Sequence, residues 1–280
     1  MFQYAFGYAL AKRLGVKLVL DVSDFSGYSL HNGFELRSVF GVGCERASNK
    51  ILTGVFGIGG AYKKKIILSD RFKLHKFYSS IYKENNHGYN SRIYESKLGR
   101  YYHGYWQTEK YFYDYADDIR RQFMFKDKMD VPNQVIADEI ENSNSVSLHI
   151  RRGDYLSDTK SHSVHGLCDL EYYQRAIRYV ASHVHNPVFY VFSDDISWVK
   201  ENLKIPFETT YVGINRGKQS YNDMRLMSIC KHNIIANSSF SWWGGWLGDY
   251  DDKIVVAPSK WFADNSIISS DIIPDRWVKI

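Results

Sequence analysis

Cysteine is scarce in this chain. The three present, Cys44, Cys168 and Cys230, cannot all pair with one another, which argues against a disulfide-stapled scaffold and for a reducing, cytoplasmic compartment. No window approaches the roughly 18 to 20 uncharged apolar residues that a membrane span needs, so the chain is not expected to cross a bilayer. The opening residues, Met1 to Phe6, lack the basic stretch, apolar core and small-residue cleavage site of a secretory leader. Repeats and low-complexity tracts are also absent. A glycine run does occur, from Gly54 to Gly60, but without the preceding strand and downstream acidic residue of a dinucleotide fingerprint it reads as a loop.

What remains is the composition of a folded enzyme-sized protein: 280 residues, 44% hydrophobic and 24% charged, enough for about two domains. The net charge of +5 permits an anionic ligand or peripheral contact with an acidic inner-membrane surface, and defines neither. Lys63-Lys64-Lys65 reads as solvated surface. Aromatic residues reach 16%, with 22 Tyr, more than a core alone requires. Sugar binders stack pyranose rings on such faces, although any single Tyr is more readily explained as core or plain surface.

Residues 2 to 14 form an amphipathic helical pattern stopped by Gly15, followed by a short strand from Lys17 to Leu20. Residues 22 to 75 give mixed signals. A strand near Tyr101 to Gln107 precedes a helix over about residues 109 to 124, and Pro132 and Asn133 open another that runs to about Ser143. From residue 145 strands and helices alternate cleanly: strands at 146–150, 188–192, 208–212, 233–236 and 253–257, helices at 169–184, 195–203, 221–231 and 240–247. That alternation specifies a doubly wound parallel sheet. The division expected is an α/β domain over 1–135 and a Rossmann-like domain over 136–280.

The most informative stretch is Ser147 to Tyr155. It delivers His149, Arg151 and Arg152 to the end of a strand, where ligands of α/β sheets collect, and guanidiniums match phosphate oxygens bidentately. The competing structural reading is an arginine pair bonded to Asp154 and to the chain itself. A second segment, Asn237-Ser238-Ser239-Phe240, follows a buried strand and opens a helix, so its amides and the helix dipole suit a phosphate. Ser238 or Ser239 could equally cap the helix, and the two roles are compatible. Trp242, Trp243 and Trp246 fall on helical spacing and read as core. Asp249-Tyr250-Asp251 has the spacing of a metal-binding Asp-x-Asp, but its position between a helix and a strand suits a turn. Asp194 and Asp195 should begin a helix close to the strand ends.

Three segments, Leu148–Tyr155 (LHIRRGDY), Val191–Trp198 (VFSDDISW) and Asp223–Leu247 (DMRLMSICKHNIIANSSFSWWGGWL), resemble in order and spacing the α-1,2-fucosyltransferases of glycosyltransferase family 11, mostly bacterial. The resemblance extends over the whole chain, including Met1–Phe6 and Gly104–Phe112. It implies an α/β, GT-B-like fold of two Rossmann-like domains facing a cleft, the C-terminal one binding the donor. It further implies a GDP-β-L-fucose donor, inversion at the anomeric carbon, a galactose-containing surface glycan as acceptor, no obligatory metal, no cofactor and no nucleic-acid partner. Arg151 becomes the phosphate-binding arginine because it stands two residues after His149, with Arg152 assisting. His149 is implied to touch ribose or phosphate, or is simply a satisfied strand-end histidine.

Asp223, 16 residues before Ser239, is implied to accept the N1–H and N2–H₂ donors of guanine, its alternative being a helix-start carboxylate. Phe240 would stack on the base or staple the helix. Asp154, Asp158 and His165 are the candidates for a general base, with Asp154 placed among the catalytic residues, and Gln107 with neighbouring aromatics belongs to the acceptor side. Family members usually carry a strand and a Gly-Gly-Leu-Gly-Asn-Gln loop just before the position of Met1, so the expectation is a late start or a fragment. Other readings are a different GDP-sugar transferase, or a non-catalytic glycan-binding or nucleic-acid-binding protein.

Overall fold

The computed structural model describes residues 1–25, 32–84, 88–95, 100–152, 166–264 and 266–280. The chain divides into two compact units, Met1–Lys126 with Ser270–Ile272, and Asp127–Ser269 with Ile273–Ile280.

In the first unit α1 spans Phe2–Leu14 and stops where Gly15 turns left-handed at φ 65°, its N–H and that of Val16 returning to the carbonyls of Lys12 and Ala11. Next come β1 (Val19–Leu20), α2 (Leu36–Phe40) and β2 (Glu45–Arg46), then α3 (Asn49–Phe56) and α4 (Gly60–Ile67). β3 (Ile81–Lys83), β4 (Tyr101–His103) and α5 (Ala116–Gln122) complete the unit. Its described strands form two separate parallel pairs, β1 with β2 and β3 with β4. The glycine run expected to be a loop is instead helix, turn, helix. Gly57 (φ 81°) and Gly59 (φ 84°) make the turn, and a Cβ on Gly60 would sit 2.9 Å from the Leu52 carbonyl carbon, so glycine lets α4 pack closely on α3.

The expected helix over 109–124 is realised as two 3-10 turns, Glu109–Tyr111 and Tyr113–Tyr115, followed by α5. Burial of both Tyr111 and Phe112 overrides regular α-helical pitch there. Much of the aromatic surplus is core. Phe6 stacks on Trp106 at 4.1 Å, Tyr111 meets both rings edge-on, and Tyr4 and Phe40 pack on Phe123.

The second unit opens with α6 (Val131–Glu141), capped by Asp130, whose carboxylate accepts from the Asn133 N–H. It continues with β5 (Asn144–Ile150), α7 (Leu170–His183), β6 (Pro187–Ser193), α8 (Ile196–Asn202), β7 (Thr209–Val212), α9 (Tyr221–Ile229), β8 (His232–Ile234), α10 (Ser239–Leu247), β9 (Val255–Ala257) and β10 (Val278–Lys279). The strands form one parallel sheet in the order β7-β6-β5-β8-β9-β10. The winding direction therefore reverses between β5 and β8, and ligands of such sheets bind at that switch point. β5 lies at the centre and is buried on both faces from Ser145 to Ile150, as a central parallel strand requires. Its polar Ser147 is matched by Asn233 of β8, whose Nδ2 donates to Ser147 Oγ and to the Met227 carbonyl. Trp242, Trp243 and Trp246 are core, as expected, and a Cβ on Gly244 would come within 2.9 Å of Met227 Cβ where α10 crosses α9. β10 was not foreseen in the sequence.

The lysine triplet is only partly surface. Lys63 and Lys65 are exposed, but Lys64 is 2% exposed and its Nζ donates to Asp21 Oδ2 (2.8 Å), Asp24 Oδ2 (2.8 Å) and Ser23 Oγ (2.7 Å). Tyr101 OH donates to the same Asp21 oxygen at 2.8 Å. Burial alone would raise the Asp21 pKa, but hydrogen bonds from Lys64, Ser23 and Tyr101 hold it at about 2, below the ordinary 3.8. A depressed carboxylate stabilises the fold above its unfolded pKa and stops doing so as pH falls through the folded one, so this contribution of about 2 kcal/mol should vanish between pH 4 and 2. Lys64→Met leaves Asp21 buried without its cation and should cost about 3 kcal/mol at pH 7 in urea unfolding. Unchanged stability at pH 7 would mean the cluster carries no such charge pairing.

Candidate functional site

The carboxyl ends of β5 and β6 meet at Asp194. Its Oδ1 accepts the Arg152 backbone N–H at 2.9 Å, and its Oδ2 stands 3.4 Å from Arg151 Nη1. Arg152 turns its guanidinium onto the face of Trp198, 3.6 Å from the ring centroid, with Nε 3.8 Å from Asp195 Oδ2. The two neighbouring arginines therefore have different environments. Arg152 is spread along an aromatic face, whereas Arg151 keeps 30% of its side chain exposed beside a carboxylate that orients it. Asp194 and Asp195 are the carboxylates beside the arginine pair among the described residues; Asp154, with which a pairing was expected, lies with Asp158 and His165 outside them. Asp195 also caps α8 by accepting the Trp198 N–H at 3.1 Å, which brings the indole beneath Arg152.

His149 is 5% exposed and sits in register with Phe192 of β6. Burial, aided by the Arg151 charge, lowers its pKa to about 3, so the imidazole is neutral at physiological pH and adds no positive charge to the strand end. Its Nδ1 is buried with no hydrogen-bond partner among the described residues, and its ring lies 5.9 Å from that of Phe240. The structure thus joins the two sequence segments, the end of β5 and the start of α10, through this ring contact.

At the start of α10 the amides of Ser239, Phe240 and Ser241 have no acceptor within the helix, and the Trp242 N–H is the first to return, to Ser238 O at 2.9 Å. Ser238 occupies the cap position without a side-chain capping bond, so the purely structural role considered for its hydroxyl is not the one seen. Ser239 is exposed and Phe240 half-buried. Asn237 is different: its Nδ2 donates to the Trp261 and Gly166 carbonyls and its Oδ1 accepts from Cys168 Sγ at 3.4 Å. That side chain ties together the loops at Gly166, Cys168 and Trp261.

Asp223 stands in the first turn of α9. Asn215 Nδ2 donates to its Oδ1 at 2.8 Å, and Asn215 exchanges two further hydrogen bonds with Asn133, which Asp130 holds in turn. Burial raises the Asp223 pKa to about 6, against the opposing pull of the Asn215 bond and the Arg216 charge. The result is a largely desolvated carboxylate at the end of a chain of polar side chains. Asp249 and Asp251 are exposed in the turn after α10, as their position suggested.

In the first unit Gln107 is half-buried. It follows Trp106, which adopts φ 56°, a left-handed conformation that a bulky residue takes only when its surroundings enforce it. The enforcing group is Glu84: its Oε2 accepts the N–H groups of Tyr105 (2.7 Å) and Trp106 (3.2 Å), while its Oε1 is buried without a hydrogen-bond partner. Burial raises the Glu84 pKa. Sequence reading missed Glu84, Asn133, Asn215 and the bridging role of Asp194. Only Asp194 had a usable signal, its place just after a strand.

Comparison with known proteins bears on this arrangement. Residues 58–280 match the family description Glycosyl transferase family 11. The chain is similar to an alpha-1,2-colitosyltransferase of Escherichia coli, 36% identical over all of this chain and 94% of that protein. It is similar to the O-antigen biosynthesis glycosyltransferase WbnK of the same species, 33% identical over all of this chain and 96% of that one. Human galactoside alpha-(1,2)-fucosyltransferase 1 is 26% identical over half of this chain and 41% of its own length. The crystal structure of fucosyltransferase NodZ from Bradyrhizobium matches with a TM-score of 0.52 over 88% of both chains at 12% identity, a likeness of fold alone, which is α/β and GT-B-like. By the extent of these matches the chain belongs to glycosyl transferase family 11 and is a glycosyltransferase.

Proposed function

We propose that this glycosyltransferase moves L-fucose, with inversion, from GDP-β-L-fucose to O2 of a terminal galactose in a surface glycan. The observation that carries the reading is Arg151, paired with Asp194 at the switch point of the parallel sheet, with His149 of the same strand end meeting Phe240 in the first turn of α10, whose leading amides have no acceptor within the helix. Breaking the bond from sugar to β-phosphate develops negative charge on GDP and oxocarbenium character on the ring. A guanidinium and helix amides that are already oriented meet that charge without reorganising, and each such donor is worth about 3 to 4 kcal/mol of barrier. On this reading no divalent metal is obligatory. His149, being neutral, contributes a hydrogen bond to ribose or phosphate, and Phe240 flanks the base or sugar.

Asp223 fits guanine because two adjacent N–H donors match one carboxylate. The named relatives support a 6-deoxyhexose transferred to a 2-hydroxyl, and the colitosyl relative supports one rival donor. Colitose is fucose without its 3-hydroxyl, so the same nucleotide clamp would serve both. Turnover on a β-galactoside with GDP-fucose against GDP-colitose, each with and without EDTA, separates these donors; a chain that turned over only the second, or neither without metal, would overturn the corresponding part of the proposal.

Arg151→Lys should lose transfer nearly as completely as Arg151→Ala, by about a hundredfold or more, because a point charge cannot replace a planar fork. Near-normal turnover of Arg151→Lys would refute bidentate phosphate recognition.

Guanine requires the charged form of Asp223, whose pKa of about 6 leaves it mostly protonated at pH 5 and mostly ionised at pH 7.5. GDP affinity, read by calorimetry, should therefore rise about tenfold more across that range in the native chain than in Asp223→Asn, a comparison that cancels the ionisation of GDP itself. Asp223→Asn should retain or raise stability at pH 7 while weakening donor binding. Parallel pH profiles for the two proteins would show that Asp223 does not contact the base.

A further inference from the structure

Residues 49–78 of the first unit lie outside the site described above and carry a chemistry of their own. Six bases there, Lys50, Lys63, Lys65, Arg71, Lys73 and Lys76, are exposed, against a single acid, Asp70, which is bonded to Lys83 Nζ at 2.5 Å. Among the cations sit large apolar side chains in solvent: Ile58 is 86% exposed, Phe77 85%, Tyr62 76% and Phe72 55%. Single exposed hydrophobes are ordinary on a protein surface, but four within twenty residues, interleaved with bases, are not.

The sequence of α4 accounts for part of the pattern. Lys64, Ile67 and Leu68 turn inward, Lys64 to its aspartates and the other two into the core. At 100° per residue this leaves Tyr62 and Ile66 together on the solvent side, with Lys63 and Lys65 flanking them. The helix thus carries a second, outward apolar stripe edged by positive charge, the arrangement of an interfacial helix. Ile58 projects from the turn before α4, and Phe72 and Phe77 from the segment after it.

We propose that this surface docks on an anionic phospholipid bilayer, peripherally, with the bases on headgroup phosphates and the apolar tips entering the interface. A soluble polyanion would be served by the bases alone and would leave Ile58, Tyr62 and Phe77 in water; a bilayer uses both kinds of side chain. No helix among the described residues is long and apolar enough to cross a membrane, and the docking needs none. The inference is independent of the donor assignment.

The test is co-sedimentation of the full chain with vesicles of phosphatidylcholine containing about 30% phosphatidylglycerol, and with phosphatidylcholine alone, at about 0.1 M salt, where a Debye length of about 10 Å leaves surface attraction intact. Binding is expected to the anionic vesicles and not to the neutral ones. The charge variant K63E/K65E should reduce it by about tenfold or more. The apolar variant I58S/Y62S/F77S, which leaves every charge in place, should reduce it by a similar factor, and the single variant Phe77→Ser measurably. All three should keep the native melting temperature, the GDP-induced thermal shift and transfer to a soluble acceptor. Native-level vesicle binding by the apolar variant, or binding of the native chain to an oligonucleotide but not to anionic vesicles, would overturn the proposal.

Discussion

Asp194 accepts the Arg152 N–H with one oxygen and faces the Arg151 guanidinium with the other, so a single carboxylate from the end of β6 fixes both the backbone and the charge at the end of β5. Everything proposed at the strand ends depends on that bridge. Without a counter-charge, two adjacent guanidiniums would repel each other where the sheet offers little water. With it, one is held beside Asp194 at 3.4 Å and the other settles on Trp198. The Arg151 contact is neither short nor deeply buried. That suits the proposed role, in which Arg151 would exchange part of this interaction for a diphosphate, since a fully desolvated bidentate pair would resist exchange.

Burial sets the charge of the surrounding groups, with consequences that depend on the residue type. It strips His149 of its proton, which keeps a third positive charge away from the arginines. It moves Asp223 the other way, toward holding its proton. The core framework makes the first environment possible: β5 is buried along both faces, so its Ser147 is matched by Asn233, while His149 near the carboxyl end stays buried with Nδ1 unmatched among the described residues.

The second unit was readable from the sequence because strands of buried residues alternated with helices long enough to show their period, from β5 through β9. β10, two residues long, gave no such signal. The first unit was far less legible. Its strands are two or three residues long, its glycine run hides a helix pair, and its aromatic stretch from Tyr111 to Tyr115 breaks into 3-10 turns. At the site, Arg151, His149 and Phe240 could be named because each lies at a strand or helix end. The groups that hold the site could not, since the partners are distant in sequence: Arg152 from Asp194 by 42 residues, and Asn133 from Asn215 by 82. Lys64 reads as surface in the sequence for a related reason, because its aspartates lie some forty residues upstream.

Asp21 and Asp223 are both removed from bulk water, yet they affect the fold with opposite sign. Asp21 is supplied with a cation and two hydroxyls, its pKa falls to about 2, and ionisation strengthens the folded state. Asp223 has Asn215, its pKa rises to about 6, and ionisation between about pH 4 and 6 weakens the folded state by up to about 3 kcal/mol. On the proposed reading, two adjacent N–H donors on a planar base would add hydrogen bonds to the one Asn215 gives, so ionisation that weakens the fold would strengthen binding. On that reading the same carboxylate would also select the base, because one presenting acceptors at those two positions would set oxygen lone pairs against a buried charge.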